Sequence, residues 1–326
     1  MNKIYSCIGI LSALFSMYAI TGCASIDEEK DALELKNESM TVRFLPKAGG
    51  KIISIKDSKG REYLSRSDRP YMQRKLGMKY GDTEFDGIDE CFPSMGGCAY
   101  PAEPYKGKPT GDHGETSQLP WTHIKGDGLT LQVKGVNFPY VFTRKATLDG
   151  KTLVLDYTVK NTGKAPLYHA YVFHPLFKGE TGCFIELSPE TEVKLLYSTK
   201  GFLGKMNTKA KIGDIKDKDG KSFHKNMFTK DIGRYYKFIV GKLPKGEAIY
   251  RFKEGNGIKL NWPADKMPYM AVWCSENGVK GLNHLAPEPA VSAFDTLAQA
   301  YKEGEAKKIP AGGTEKWQIK ITLIGK

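Results

Sequence analysis

Tyr168-His169-Ala170-Tyr171-Val172-Phe173-His174-Pro175-Leu176-Phe177 is the stretch on which the reading of this chain turns. The run before it alternates, with Leu153, Leu155, Tyr157 and Val159 set against Val154, Asp156, Thr158 and Lys160. A period of two describes a strand with one buried face. The aromatic stretch itself is strand-like until Pro175, which lacks a ladder donor and predicts a strand end or a sheet edge. His174 then falls where a sheet can present a side chain to a cleft. A second histidine lies in Gly111-Asp112-His113-Gly114-Glu115, and a carboxylate in Ala286-Pro287-Glu288-Pro289. These three residues are the candidates for a common site.

Outward from that stretch the pattern stays β. Residues 39–46 read as a first strand. Gly49-Gly50 leads into 51–57, Ser58-Lys59-Gly60 turns the chain, and 61–64 returns as a hairpin. Residues 68–105 are irregular and rich in Gly, Asp and aromatics, the character of a functional loop. Further strands are predicted over 129–133, 140–148, 152–159, 167–173, 192–197, 236–240, 248–252, 258–262 and 269–273. Residues 315–323 close the fold, with Trp317, Ile319, Ile321 and Leu323 on one face. The segment 200–230 reads as a basic surface excursion, and 294–302 as a short helix. The 35 glycines and 17 prolines among 326 residues are spread out, as many turns require. No composition break marks a second domain. The expectation is one mostly antiparallel β-sandwich over 39–326, an all-β fold with few short helices.

The formal charge of +12 comes from lysines scattered over strands and turns, with no basic stripe or nucleic-acid motif. We therefore expect no nucleic-acid partner and read the lysines as solvated. Met1-Asn2-Lys3, an apolar run over 4–20 and then Thr21-Gly22-Cys23 form a secretory leader, which is excluded from the fold. The run is short and weak for a membrane span. With Cys23 directly after Thr-Gly, the segment resembles a bacterial lipoprotein signal. That resemblance implies a leader over 1–22, lipid on Cys23, a tether over 23–38 and a protein held at the cell envelope by its lipid. Without Cys7 and Cys23, the remaining cysteines are Cys91, Cys98, Cys183 and Cys274. Export permits disulfides. Gly96-Gly97 lets the chain turn between Cys91 and Cys98, which makes them the pair to test, with buried free thiols as the alternative. Their spacing is not a zinc pattern, and neither metal nor cofactor is expected.

Each candidate residue has a plain structural reading as well. His113 suits a turn bonded to neighbouring backbone, His174 a satisfied core histidine, and Glu288 a solvated carboxylate. Their order and contexts together carry more. The chain resembles the aldose 1-epimerase (galactose mutarotase-like) superfamily from about Met40 to Leu323. The resemblance rests on the hairpin over 45–64, Gly87 to Gly97 with Phe92-Pro93, and Asp112-His113-Gly114-Glu115 with Leu119-Pro120-Trp121. Phe173-His174-Pro175, 269–273 and Glu288-Pro289 follow in family order. Each motif is short, and their collinearity is the argument.

The resemblance implies a β-supersandwich with a concave site for a monosaccharide or sugar terminus. It implies that Glu288 takes the proton from the anomeric hydroxyl, that His174 protonates the ring oxygen, and that His113 binds nearby. These residue types suit the chemistry, because opening a hemiacetal needs a base on one oxygen and an acid on another. Histidine exchanges protons near neutrality. Trp121, Trp273, Tyr269 and Phe92 are candidates for a stacking wall. An arginine common shortly after the first His-Gly is missing, so Arg74 is the candidate cation, and Asp89, Glu90 and Asp86 are candidates for binding hydroxyls. His123, His169, His224 and His284 are read as structural or surface residues. Two alternatives stay open: a non-catalytic carbohydrate-binding protein on the same fold, and another carbohydrate-active enzyme such as a lyase or hydrolase.

Overall fold

The computed structural model describes residues 25–216, 220, 222–229 and 233–325. Cys7, Cys23 and the segment 1–22 expected to be a leader lie outside the described residues. The fold is two large antiparallel sheets packed face to face, of eleven and eight strands. The eight-stranded sheet holds Leu129–Lys134, Tyr140–Asp149, Thr152–Asn161, Gly246–Arg251, Gly257–Trp262 and Thr314–Ile324. These are the segments whose alternation is clearest, because each buries one face and wets the other.

The eleven-stranded sheet carries the candidate site. Its order runs from Leu33–Lys36 through Met40–Leu45, Lys51–Asp57, Ile88–Cys91 and Val172–Pro175. It continues through Leu282–Ala290, Tyr269–Val279, Arg234–Val240 and Glu192–Ser198. Three of these strands differ from the sequence expectation. Leu33–Lys36, placed in a tether by sequence, pairs with Met40–Leu45 at the sheet edge. Just before it, Ile26 packs against Leu45, Ala48, Ile53 and Tyr71, so the described part of the expected tether lies on the domain. Ile88–Cys91 falls within the expected loop, and all four of its residues are buried. Leu282–Ala290 is a nine-residue strand through both prolines. It pairs along its length with Tyr269–Val279, but its register with Val172–Pro175 is limited to Val172 opposite Ala290. On that same side it pairs again with Phe177–Lys178, through Leu285 and His284, and the break between falls at Pro287 and Pro289, which supply no ladder donors.

The expected strand over 167–173 breaks into Leu167–His169 and Val172–Pro175, and the hairpin return at 61–64 makes only isolated bridges. The helix is shorter than expected, Leu297–Lys302, with Thr296 as its N-cap.

Aromatics fill the space between the sheets: Phe44, Phe92, Phe142, Tyr157, Tyr171 and Trp317 are buried together. Tyr157 stacks on Trp317 with ring centroids 5.2 Å apart. A buried ion pair lies among them, Glu90 with Arg144 at 2.8 Å. Glu90 also accepts hydrogen bonds from the Tyr157 and Tyr171 hydroxyls. Gly50 permits this packing, since a Cβ there would lie 2.5 Å from the Trp121 ring. The four cysteines among the described residues, Cys91, Cys98, Cys183 and Cys274, are free thiols. Cys91 points into a small apolar cluster with Val172, Tyr269 and Ala290, while Cys98 sits beside Thr110. The two side chains have separate surroundings, so the pair singled out for a disulfide is not one. Among the described residues no helix is long and apolar enough to cross a membrane.

Candidate functional site

Sheet register sets the site. In Ile88–Cys91, side chains alternate between the inter-sheet core (Ile88, Glu90) and the concave face (Asp89, Cys91). Asp89 is opposite His174, and His174 Nδ1 lies 3.0 Å from Glu288 Oε1 on the next strand. On the other flank Lys51 Nζ donates to Asp89 Oδ2 at 2.5 Å. One row across four strands thus reads Lys51, Asp89, His174, Glu288. Two residues along the strands, a second row sets Tyr197, Lys237, Trp273 and Ala286 side by side. A third row follows with Tyr235, Ser275 and His284.

The first two rows floor a cavity of about 200 Å³. Its lining includes His113, His174, Glu288, Lys237, Trp273 and Asp295. This volume suits a single sugar ring, below the roughly 300–1,000 Å³ of clefts for drug-sized ligands. Larger depressions elsewhere, up to about 530 Å³, hold no histidine.

His113 comes to this cavity from its loop in a left-handed backbone conformation, φ 60°. Gly114 follows at φ 77°, where a Cβ would lie 2.5 Å from the Phe92 carbonyl oxygen. Two such residues in succession fold the loop tightly onto the sheet. The His113 ring stacks on Tyr80, 3.6 Å between centroids and 12° from parallel, and lies 5.1 Å from the His174 ring. The Tyr80 hydroxyl donates to Asp89, so both histidines rest on the charged row. His113 Nδ1 is 2.9 Å from Asp112 Oδ1. That hydrogen bond holds the Asp112 carboxyl below its ordinary value. Burial lowers the His113 pKa, against the opposing pull of Asp112. A neutral His113 donating from Nδ1 to a carboxylate leaves Nε2 as an acceptor.

Glu288 is fully buried. Burial alone would raise its pKa, but Lys237 and then His174 outweigh burial and hold it at about 2. Lys237 Nζ stands 3.2 Å from Glu288 Oε2, a charge contact outside hydrogen-bond geometry. It donates to Asp295 Oδ1 at 2.7 Å. These two carboxylates keep Lys237 charged despite its burial. His174 Nε2 has no partner among the described residues. The arrangement therefore offers a carboxylate, an imidazole nitrogen without a protein partner and a fixed cation around one small space. Three carboxylates (Asp112, Glu288, Asp295) face a single lysine here, so the net positive charge of the chain is not concentrated in the cavity. Among the described residues no group of three or more His, Cys, Asp or Glu side chains is set to hold a metal ion.

The cavity brings together His174, Glu288, His113 and Trp273 of the residues expected from sequence. Asp89 lies directly beneath as a partner of Lys51 and Tyr80. The others are elsewhere. Arg74 is buried against Glu84 in the network behind Tyr80, so its charge is already neutralised. Glu90 points to the opposite face, into the inter-sheet core, as its even position beside Asp89 requires. Asp86 accepts from the Tyr71 hydroxyl at 3.0 Å, away from the cavity. Trp121 packs in the core near Phe142 and donates to the Thr116 carbonyl. Phe92 is likewise core, and Tyr269 bonds Glu305 at 2.7 Å one row away. His284, read as structural, accepts the Trp273 indole hydrogen at 2.6 Å. Burial, with the nearby His174, pushes its pKa down to about 3 and keeps it an acceptor.

Sequence reasoning missed Lys237, Asp295, Tyr197 and Tyr80. A signal existed for Lys237. In Tyr235-Tyr236-Lys237-Phe238-Ile239-Val240 the positions facing away from the core are Tyr235, Lys237 and Ile239, and a buried lysine on such a face needs carboxylate partners.

No protein-family model matches the chain, and no curated protein matches it by sequence. Solved structures do match. A protein from Synechocystis sp. PCC 6803 superposes with TM-score 0.67 at 15% identity, over 94% of this chain and 99% of that one. A Klebsiella pneumoniae protein provisionally named an aldose 1-epimerase gives 0.68 at 13% identity, over 93% and 82%. A galactose mutarotase-like protein from Lactobacillus casei gives 0.61 at 18% identity, over 90% and 99%. The chain has the galactose mutarotase-like β-sandwich fold, found in proteins named as aldose 1-epimerases and mutarotase-like proteins.

Proposed function

We propose that this chain binds an aldose in the His174–Glu288 cavity and interconverts its anomers. The observation that carries this reading is the 3.0 Å contact between His174 and Glu288 in a sugar-sized cavity, with His174 Nε2 unpartnered. In this mechanism Glu288 accepts the proton of the anomeric hydroxyl. His174 gives a proton from Nε2 to the ring oxygen, the C1–O bond breaks, and the open-chain aldehyde forms. Rotation about C1–C2 exposes the other face of the carbonyl. Ring closure returns both protons, Glu288 giving its proton back to the carbonyl oxygen and His174 regaining its own from the attacking hydroxyl. His113 Nε2 accepts a neighbouring hydroxyl, and the Trp273 ring supports the sugar's C–H face.

One observation favours a second reading, in which the chain binds sugar without turning it over. A carboxylate held at about 2 is a weak base. Optical rotation of fresh single-anomer glucose, galactose, xylose, rhamnose and uronic acids, with and without protein, separates the two. Acceleration lost in both Glu288→Gln and His174→Asn supports the epimerase. Binding without acceleration for any sugar supports the second reading. Positioned proton transfer typically supplies about 10²–10⁴-fold, so each loss is expected on that scale. We further propose that Cys23 carries lipid and holds this activity at the cell envelope.

A further inference from the structure

The cavity closes around one ring, but the aromatic surface beside it does not stop there. Tyr197 and Trp273 line the cavity in the second row. Tyr235, in the third row, lines no part of it, yet its ring lies 5.7 Å from Trp273 and 6.2 Å from Tyr197 between centroids. Tyr197 and Trp273 are themselves 5.9 Å apart, so the three rings form a triangle. Tyr197 and Tyr235 are 37% and 36% exposed, which makes them two of the few large apolar side chains at the surface among the described residues. Adjoining exposed aromatics beside a cavity form a contiguous apolar surface of the kind that serves ligand binding. Trp273 turns its one polar atom inward to His284, so what it offers the ligand is ring surface alone.

The rows also give direction. The acid–base row of His174 and Glu288 comes first, the Trp273 row next and the Tyr235 row last. Each step of two residues is roughly 7 Å along the strands, on the scale of one sugar unit. A ring whose anomeric carbon meets Glu288 therefore points its far side toward Tyr235.

We infer that the natural ligand is a saccharide of two or more units, with its reducing-end ring in the cavity and its next unit stacked on Tyr235 beside Trp273 and Tyr197. This rests on the proposed sugar reading and adds the substrate class to it. Tyr235 touches neither His174 nor Glu288, so it acts on the choice of ligand and not on proton transfer.

The test is binding of matched pairs to the full-length chain by titration calorimetry: glucose against cellobiose and against maltose, and xylose against xylobiose. At least one disaccharide is expected to bind about tenfold tighter than its own monosaccharide, the effect of one stacked ring. Tyr235→Ala should bring that disaccharide to within about twofold of the monosaccharide and leave the monosaccharide unchanged. Tyr235→Phe keeps the ring and should keep the preference. If no disaccharide outbinds its monosaccharide, or if Tyr235→Ala weakens both equally, the inference fails while the single-sugar reading stands. If none of these sugars binds, both fail.

Discussion

Lys237 sets the chemical character of Glu288. The carboxylate is buried, a condition that by itself would make it a stronger base, and the lysine 3.2 Å away reverses this. A depressed carboxyl pKa means that the folded state prefers the ionised form. Stability from this group is then present above its ordinary value of 4.5 and is lost as pH falls toward about 2. Replacing Lys237 with Met leaves burial opposed only by His174, so the Glu288 pKa should rise. The acidic limb of the pH–rate profile should move upward with it, and an unmoved limb would show that Glu288 does not govern it. Removing one partner of a buried pair should also cost about 3–5 kcal/mol of stability, read from urea unfolding. Neutral His113 contributes differently, as an acceptor fixed by Asp112 and by the Tyr80 ring.

Within the elements, side-chain period two explains both what was legible and what was not. Thr152–Asn161 and Thr314–Ile324 alternate clearly because one face is solvated. Ile88–Cys91 shows no such signal, because its core face carries Ile88 and Glu90 while its concave face carries Asp89 and Cys91, all buried. Leu282–Ala290 was hidden by its prolines, which read locally as a stiff extended segment. His174, His113 and Glu288 were found through the order of their motifs. Lys237 and Asp295 were not, since sheet register brings Lys237 to the strand pair carrying Glu288 and the bend after Ala290 brings Asp295 onto Lys237. The same alternation corrects Glu90. Its carboxylate joins Arg144, Tyr157 and Tyr171 between the sheets, so Glu90→Gln should weaken the sandwich and not the sugar site. The expected cost is about 3–5 kcal/mol in chemical denaturation, with sugar binding by the folded protein unchanged. Loss of binding with full stability would return Glu90 to the site.

At the scale of the molecule, the eleven-stranded sheet packs one face on the smaller sheet, and the candidate chemistry lies on its other face, across its middle strands. Near this domain's N-terminus, Leu33–Lys36 is a strand of the same sheet, so a lipid on Cys23 would hold the domain close to a membrane. One acyl chain binds a bilayer only marginally, and stable anchoring takes two or more. Expressed with its leader in a bacterial host, the chain should partition into the detergent phase of a phase-separating detergent, and Cys23→Ser should move it to the aqueous phase. Equal partitioning of both forms would remove the anchor from the account. The central claim concerns the cavity, and the most direct test of it is NMR magnetisation exchange between the α and β anomers of the sugar bound most tightly. With wild-type protein the exchange should exceed the buffer rate, and with Glu288→Gln it should return to it. Exchange that persists undiminished in Glu288→Gln, or that never exceeds the buffer rate in the wild type, would contradict the assignment of Glu288 and His174 as an acid–base pair.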